Sequence, residues 1–80
     1  MSTDQVLRET SEIFIDVMDN EALQIKLDTS AKDIEEWDSL THIQLIVAIE
    51  KHFKLKFTSQ EIRNFNQVGD MIHLIEQKLG

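Results

Sequence analysis

The sequence predicts an all-α domain in which the helices form one four-helix bundle. The 80 residues contain no proline and only two glycines, so few positions interrupt a helix. Apolar residues recur at helical spacing along three long segments. The one strand-like alternation, Phe53 to Phe57, is too short and isolated to build a sheet. We expect three main helices plus a short third helix, with a long loop between helices 1 and 2.

The first helix is predicted from about Thr3 to Met18. Ser2 and Gln5 have the spacing of a capping box, in which side chains satisfy the free N–H groups of a helix start. The apolar side chains of this segment recur on one side of the helix, which indicates the face that packs on the core. They are Val6, Leu7, Ile13, Phe14, Val17 and Met18.

A long connection, from about Asp19 to Trp37, follows this helix. It contains residues that favour turns, Asp28, Thr29 and Ser30. A loop of this length in a compact domain is often functional. Four apolar residues are expected to pin it to the core: Leu23, Ile25, Leu27 and Ile34.

The second helix is predicted to begin after Asp38 and to end near Phe53, and it carries apolar residues on two faces. The first face has the spacing of a core-facing stripe. It comprises Leu45, Ile46, Ile49 and Phe53. The second face comprises Leu40, Ile43 and Val47 and starts beside Ser39. This second face either flanks a wide core contact or forms an exposed strip for docking partners.

Two further helices complete the predicted bundle. Thr58 and Glu61 form a capping box for a short third helix that ends near Arg63 or Asn64. Asn66 is expected to cap the fourth helix, with Gly69 tolerated in its first turn. The core-facing residues of this helix are predicted to be Val68, Met71, Ile72, Ile75 and Leu79.

The composition excludes several classes of function. The formal charge is −7, which repels nucleic acid and anionic membranes and favours basic partner surfaces. Because the chain has no cysteine, disulfides, thiolate metal sites and cysteine nucleophiles are excluded. No apolar run reaches the roughly 18 residues of a membrane span, and no signal or transit peptide is recognisable. We expect one cytoplasmic domain over residues 1–80, a monomer without nucleic-acid partners or stable membrane insertion.

The charge is unevenly distributed along the chain. Residues 1–40 hold eleven acidic and three basic residues, whereas residues 41–80 hold four acidic and five basic residues. Uneven composition of solvated faces is one interpretation, and recognition of partners is the other.

Asp38 and Ser39 stand at the predicted start of the second helix. Asp38 is a good N-cap, since its carboxylate can accept hydrogen bonds from free backbone N–H groups of the first turn. Ser39 then takes the first helical position and faces solvent, where a phosphate ester gains from the helix dipole and free N–H groups. Both residue types are common at helix starts, so capping alone also explains the dipeptide.

A catalytic serine is a further alternative, which would need a histidine base and an orienting acid. The histidines are His42, His52 and His73. The chain has no G-x-S-x-G motif, and an 80-residue bundle has little room for an enclosed pocket. The sequence therefore predicts a non-enzymatic chain with no metal site, in which His42 lies at the core edge with a satisfied hydrogen bond.

The segments EWDSLTHIQLIVAIEKHF and NQVGDMIHLI resemble the acyl carrier protein family. Asp38-Ser39-Leu40, the apolar helix from Leu45 to Phe53, and Val68-Gly69-Asp70 fall in the family's order, and the similarity covers nearly the whole chain. The resemblance implies a right-handed four-helix bundle and a 4′-phosphopantetheine arm on Ser39. A separate phosphopantetheinyl transferase would attach the arm from coenzyme A with magnesium, and acyl groups would form thioesters with its terminal thiol.

The resemblance also implies roles for residues around Ser39. Asp38 would cap the helix and contribute to recognition by the transferase. Partner contacts would come from Trp37, Leu40, Thr41, Ile43, Gln44, Val47 and Glu50. The expected partners are the phosphopantetheinyl transferase, an acyl-activating enzyme, and acyltransferases or synthases. They would belong to fatty-acid, lipid, polysaccharide or secondary-metabolite biosynthesis.

The chain departs from the family pattern in the second helix. Typical fatty-acid carriers place acids along its exposed part, whereas this chain keeps one acid there. The corresponding residues are Thr41, Gln44, Glu50, Lys51 and His52. This depletion indicates a specialised stand-alone carrier. An aminoacyl or D-alanyl carrier and an unmodified acidic helical adaptor remain alternatives.

A second departure lies before Asp38, where the family commonly has a glycine followed by a small or apolar residue and this chain has Glu36 and Trp37. Three interpretations are open for the indole of Trp37. It contacts partners, covers the arm as a lid, or anchors the loop while half-buried.

Overall fold

The structure, a computed structural model, describes residues 2–79, which form four helices. They are α1 (Thr3–Met18), α2 (Ser39–Phe53), α3 (Ser59–Arg63) and α4 (Val68–Leu79). The all-α architecture, the short third helix and the long loop between α1 and α2 are thus as predicted. An isolated bridge pairs Ser30 with Gln67, and no strand forms among the described residues.

Side-chain caps set where the first three helices begin. The Ser2 hydroxyl accepts from the Gln5 N–H at 3.2 Å, and Thr58 with Glu61 forms the predicted reciprocal box at α3. The α4 cap differs from the prediction. Asn66 does not cap this helix; instead, the Asp70 carboxylate accepts from the N–H groups of Asn66 at 3.0 Å and Gln67 at 3.2 Å. A carboxylate inside the first turn replaces the cap and suits the positive end of the helix.

One apolar core fills the space between α1, α2, α4 and the long loop. Its fully buried side chains are Val6, Phe14, Leu45, Ile49, Val68, Met71, Ile72 and Ile75. The loop contributes Ile25 and Ile34, as expected. Two expectations were wrong, because Leu27 and Leu79 are 38% and 39% exposed. Leu79 lies in the last helical turn, beyond the end of the packed face.

The long loop is held to α4 by backbone hydrogen bonds. The Leu27 carbonyl accepts from the Gly69 N–H at 2.7 Å, and the Thr29 carbonyl accepts from the Val68 N–H at 2.8 Å. Leu27 therefore holds the loop to α4 through its backbone carbonyl, while its side chain is partly exposed. These bonds satisfy N–H groups at the start of α4 that have no partner within the helix.

A polar contact also joins α1 to α2. Nε2 of His52 lies 2.7 Å from Oε1 of Glu9, and this hydrogen bond lowers the pKa of the Glu9 carboxyl.

No helix in the described part of the chain is long and apolar enough to cross a membrane.

Candidate functional site

The start of α2 is fixed by a two-way capping box around Ser39. Oδ1 of Asp38 accepts from the Thr41 N–H at 2.9 Å, and Oγ1 of Thr41 accepts from the Asp38 N–H at 2.8 Å. The Thr41 hydroxyl also donates to the Glu36 carbonyl at 2.8 Å. Ser39 thus occupies the first helical position between two residues whose backbone and side chains are mutually locked.

Asp38 places a negative charge beside Ser39. Its carboxylate is exposed, and the hydrogen bond from the Thr41 backbone N–H is the main reason that its pKa lies below the usual aspartate value. This capping contribution to stability is therefore present above the ordinary aspartate pKa. It is lost as the pH falls through the lowered value.

Three apolar side chains next to Ser39 point away from the core. Leu40 is 68% exposed, Ile43 62% and Val47 42%, and we call these residues the apolar strip. The side chains predicted to face the core, from Leu45 to Phe53, are buried. The strip is therefore exposed and does not flank the core contact, and its docking of partners stays a prediction.

An open cavity of about 550 Å³ lies beside Ser39. It is lined by Trp37 and Ala31 of the loop, by Ile62 of α3, and by Phe65, which follows α3. Its remaining lining residues are Asp38, Ser39, His42, Ile43 and Arg63. The arrangement gives an exposed serine hydroxyl on the wall of a largely apolar space, which suits a flexible group attached at that hydroxyl.

Trp37 anchors the loop at the edge of this cavity. The side chain is only 7% exposed, and its ring meets Phe14 edge to face at a centroid distance of 5.0 Å. Nε1–H of Trp37 donates to Nδ1 of His42 at 3.0 Å. The indole is thus buried more deeply than the half-buried anchor considered from the sequence. His42 has the core-edge position and the satisfied hydrogen bond that were predicted.

The same hydrogen bond argues against a catalytic serine. Nδ1 of His42 is an acceptor for Trp37, and no hydrogen bond joins Ser39 Oγ to a histidine within residues 2–79. A triad needs that contact, with the histidine oriented by an acid. Nor does this part of the chain gather three or more histidine or carboxylate side chains at a metal-binding distance.

Two residues assigned to partner contact have structural tasks that the sequence did not reveal. Thr41 closes the capping box, and Oε2 of Glu50 accepts from the Phe57 N–H at 2.8 Å. The spacing of Asp38 and Thr41 was a usable signal, but threonine is not the usual capping-box partner. Gln44 is exposed on α2, and its partner role stays a prediction. Since Thr41 is needed at the cap, its identity alone does not indicate an unusual set of partners.

Comparisons with known proteins agree with this geometry. Residues 8–75 match the family described as the phosphopantetheine attachment site. An acyl carrier protein of Clostridium acetobutylicum is 30% identical over 89% of this chain and 92% of its own length. One from Prochlorococcus marinus is 26% identical over the full length of both chains.

A solved structure supports the fold. The solution structure of the holo acyl carrier protein from Geobacter metallireducens is similar with a TM-score of 0.87 and 40% identity. The match covers 92% of this chain and 85% of that one, which confirms the acyl-carrier-like bundle. The chain therefore belongs to the acyl carrier protein family, the non-catalytic carriers that bear a covalently attached 4′-phosphopantetheine.

Proposed function

We propose that Ser39 Oγ is the attachment point of the 4′-phosphopantetheine arm. We further propose that the chain delivers acyl intermediates to partner enzymes of fatty-acid, lipid, polysaccharide or secondary-metabolite biosynthesis. When bound, the group supplies the terminal thiol that holds these intermediates as thioesters. The observation that supports this most is the exposed Ser39 at the first position of α2, on the wall of the 550 Å³ cavity.

The residues around Ser39 fit attachment by a separate enzyme. The hydroxyl is exposed, so a phosphopantetheinyl transferase can reach it without unfolding the helix. The capping box holds Ser39 in place, and the Asp38 charge beside it offers the transferase a recognition point. The protein is proposed to act as a cytoplasmic monomer of one domain, in keeping with its acidic, cysteine-free sequence.

Incubation with coenzyme A, magnesium and a broad-specificity phosphopantetheinyl transferase should add one arm to the wild-type protein and none to Ser39→Ala. Ser59→Ala is the matched control, because Ser59 is also exposed and also holds the first helical position behind a capping residue. Intact-mass measurement reads the result directly. An adduct that persists in Ser39→Ala, or that disappears in Ser59→Ala, would contradict attachment at Ser39.

Asp38→Asn should separate the two tasks of Asp38. Asparagine caps helices about as well as aspartate, so the Tm near neutral pH should change little. The transferase should nevertheless lose about tenfold in kcat/KM, because a charge-assisted contact is replaced by a neutral one. Asp38→Ala should lower both the Tm and kcat/KM. Equal kcat/KM for Asp38→Asn and wild type would limit Asp38 to helix capping.

A further inference from the structure

We propose that the C-terminal end of α2 is a docking surface for an acidic region of a partner protein. The surface consists of Lys51, Lys54 and Lys56, which we call the lysine patch. The proposal deepens the carrier function above by assigning a charge to the partner's surface. It does not require the arm itself.

The lysine patch surrounds a groove of about 380 Å³. All three lysines are exposed, and the remaining lining residues are Val47, Glu50 and Leu55. Within residues 2–79, the contacts between acidic and basic side chains join Glu9 to His52 and Glu61 to Lys78, so none involves the patch. The one acid of the groove, Glu50, accepts a backbone hydrogen bond from Phe57 at 2.8 Å. The patch thus leaves three cations without a carboxylate partner on a chain of charge −7.

The backbone conformation at Lys54 places one lysine of the patch directly after the end of α2. Lys54 has φ 57° and ψ 50°, the left-handed conformation that ends α2, and its N–H donates to the Glu50 carbonyl. Glycine is the usual residue at this position because a Cβ is disfavoured there. Asp19 ends α1 in the same left-handed conformation (φ 53°, ψ 45°), so this conformation terminates both α1 and α2 and by itself assigns no function to Lys54.

The helix dipole explains only part of the pattern. Cations near a helix C-terminus are favourable, which accounts for Lys51 in the last turn. It does not require a side chain at Lys54, where glycine would end the helix better. Nor does it reach Lys56, which lies three residues beyond Phe53. A partner's carboxylates would account for all three lysines together.

The patch continues the apolar strip. Val47 belongs to both surfaces, because it is the last residue of the strip and also lines the lysine groove. Lys51 follows Val47 by one helical turn on the same side of α2. A partner protein that covers Leu40, Ile43 and Val47 would therefore also contact the lysine patch with the adjacent part of its surface.

An acidic protein fits this surface better than an anionic membrane does. Lipid-binding clusters usually contain about four to eight basic residues, whereas this patch contains three. The overall charge of −7 also repels an anionic lipid surface over a wide area. A protein surface can confine its carboxylates to the patch and place apolar side chains on the strip.

The test is an NMR titration of the ¹⁵N-labelled protein with two synthetic amphipathic helical peptides. One presents leucines at i, i+3 and i+4 spacing flanked by glutamates, and the other has lysine in place of every glutamate. The glutamate peptide should bind more tightly and shift the amide signals of Val47, Lys51 and Lys54. Its affinity should fall as salt rises to about 0.15 M, since exposed charges are screened.

Variants of the chain assign the effect to the patch. Lys51→Gln combined with Lys54→Gly and Lys56→Gln should weaken binding of the glutamate peptide about tenfold, the scale of several exposed ion pairs. The control combines Arg8→Gln, Lys26→Gln and Lys32→Gln, which remove the same charge from exposed sites elsewhere and should leave binding unchanged. Lys54→Gly alone should weaken binding without lowering the Tm.

Several results would overturn the proposal. They are equal binding of the two peptides, no binding of the glutamate peptide, equal loss in the patch and control variants, or patch-dependent binding to phosphatidylglycerol vesicles. The titration is run on protein with and without the arm. A failure of attachment at Ser39 therefore leaves this test interpretable.

Discussion

Trp37→Ala should lower the free energy of unfolding by about 3–5 kcal/mol, the usual cost of removing a large buried aromatic side chain. The indole is 7% exposed, packs edge to face on Phe14 and donates a hydrogen bond to His42. Small domains are stable by only about 5–15 kcal/mol, so this loss is a large fraction of the total stability. Because this is the only tryptophan, urea unfolding should be followed by circular dichroism.

Trp37→Phe is the control that separates packing from hydrogen bonding. Phenylalanine keeps a ring against Phe14 but removes the N–H that His42 Nδ1 accepts. The hydrogen bond from Trp37 to His42 should contribute about 0.5–1.5 kcal/mol to stability, because the half-exposed His42 can accept a hydrogen bond from water instead. A Trp37→Ala protein as stable as the wild type would reject the loop-anchor role. Such a result would favour an indole that contacts partners or covers the arm.

Gly69→Ala should destabilise the domain by about 1–3 kcal/mol, although alanine is the better helix former by about 1 kcal/mol. A Cβ at this position would lie 2.9 Å from the Leu27 carbonyl oxygen, which is closer than real Cβ contacts allow. That oxygen accepts the Gly69 N–H at 2.7 Å, so the loop cannot withdraw without breaking the hydrogen bond. The packing cost should therefore exceed the gain in helix propensity.

Chemical unfolding and amide hydrogen exchange together test this expectation. Gly69→Ala should lower the unfolding midpoint and speed exchange at the Gly69 and Val68 amides, which bond to the loop. Gln77→Ala, at an exposed position of α4, should change stability by less than about 0.5 kcal/mol. A Gly69→Ala protein more stable than the wild type would mean that the loop is not held closely against α4.

Local sequence signals were sufficient for the helices. Ser2 with Gln5 and Thr58 with Glu61 are capping pairs within one turn, and the apolar spacing of α2 identified its buried face. The position of Ser39 followed from the cap at Asp38 for the same reason. Each of these interactions joins residues that are close in the chain, so periodicity and turn chemistry could predict them.

Contacts between residues far apart in the sequence could not be predicted from such local signals. The bond from Gly69 to Leu27 spans 42 residues of sequence, and nothing local to Gly69 indicates it. For Gly69, the sequence indicated only a poor helix propensity. The sequence predicts Glu50 only as an exposed acid, because its bond to the Phe57 N–H depends on how the chain turns after α2. The burial of Trp37 likewise depends on its contacts with Phe14 and His42, which no local sequence pattern indicates.

The central claim is best tested on the protein purified from its own source. Trypsin cuts after Lys32 and Lys51 and releases residues 33–51, in which Ser39 is the only serine. Fragment-ion mass spectrometry should place 4′-phosphopantetheine on Ser39, with part of the arm carrying an acyl thioester that hydroxylamine removes. An unmodified peptide, or the same group on another residue such as Thr41, would contradict a carrier whose attachment point is Ser39.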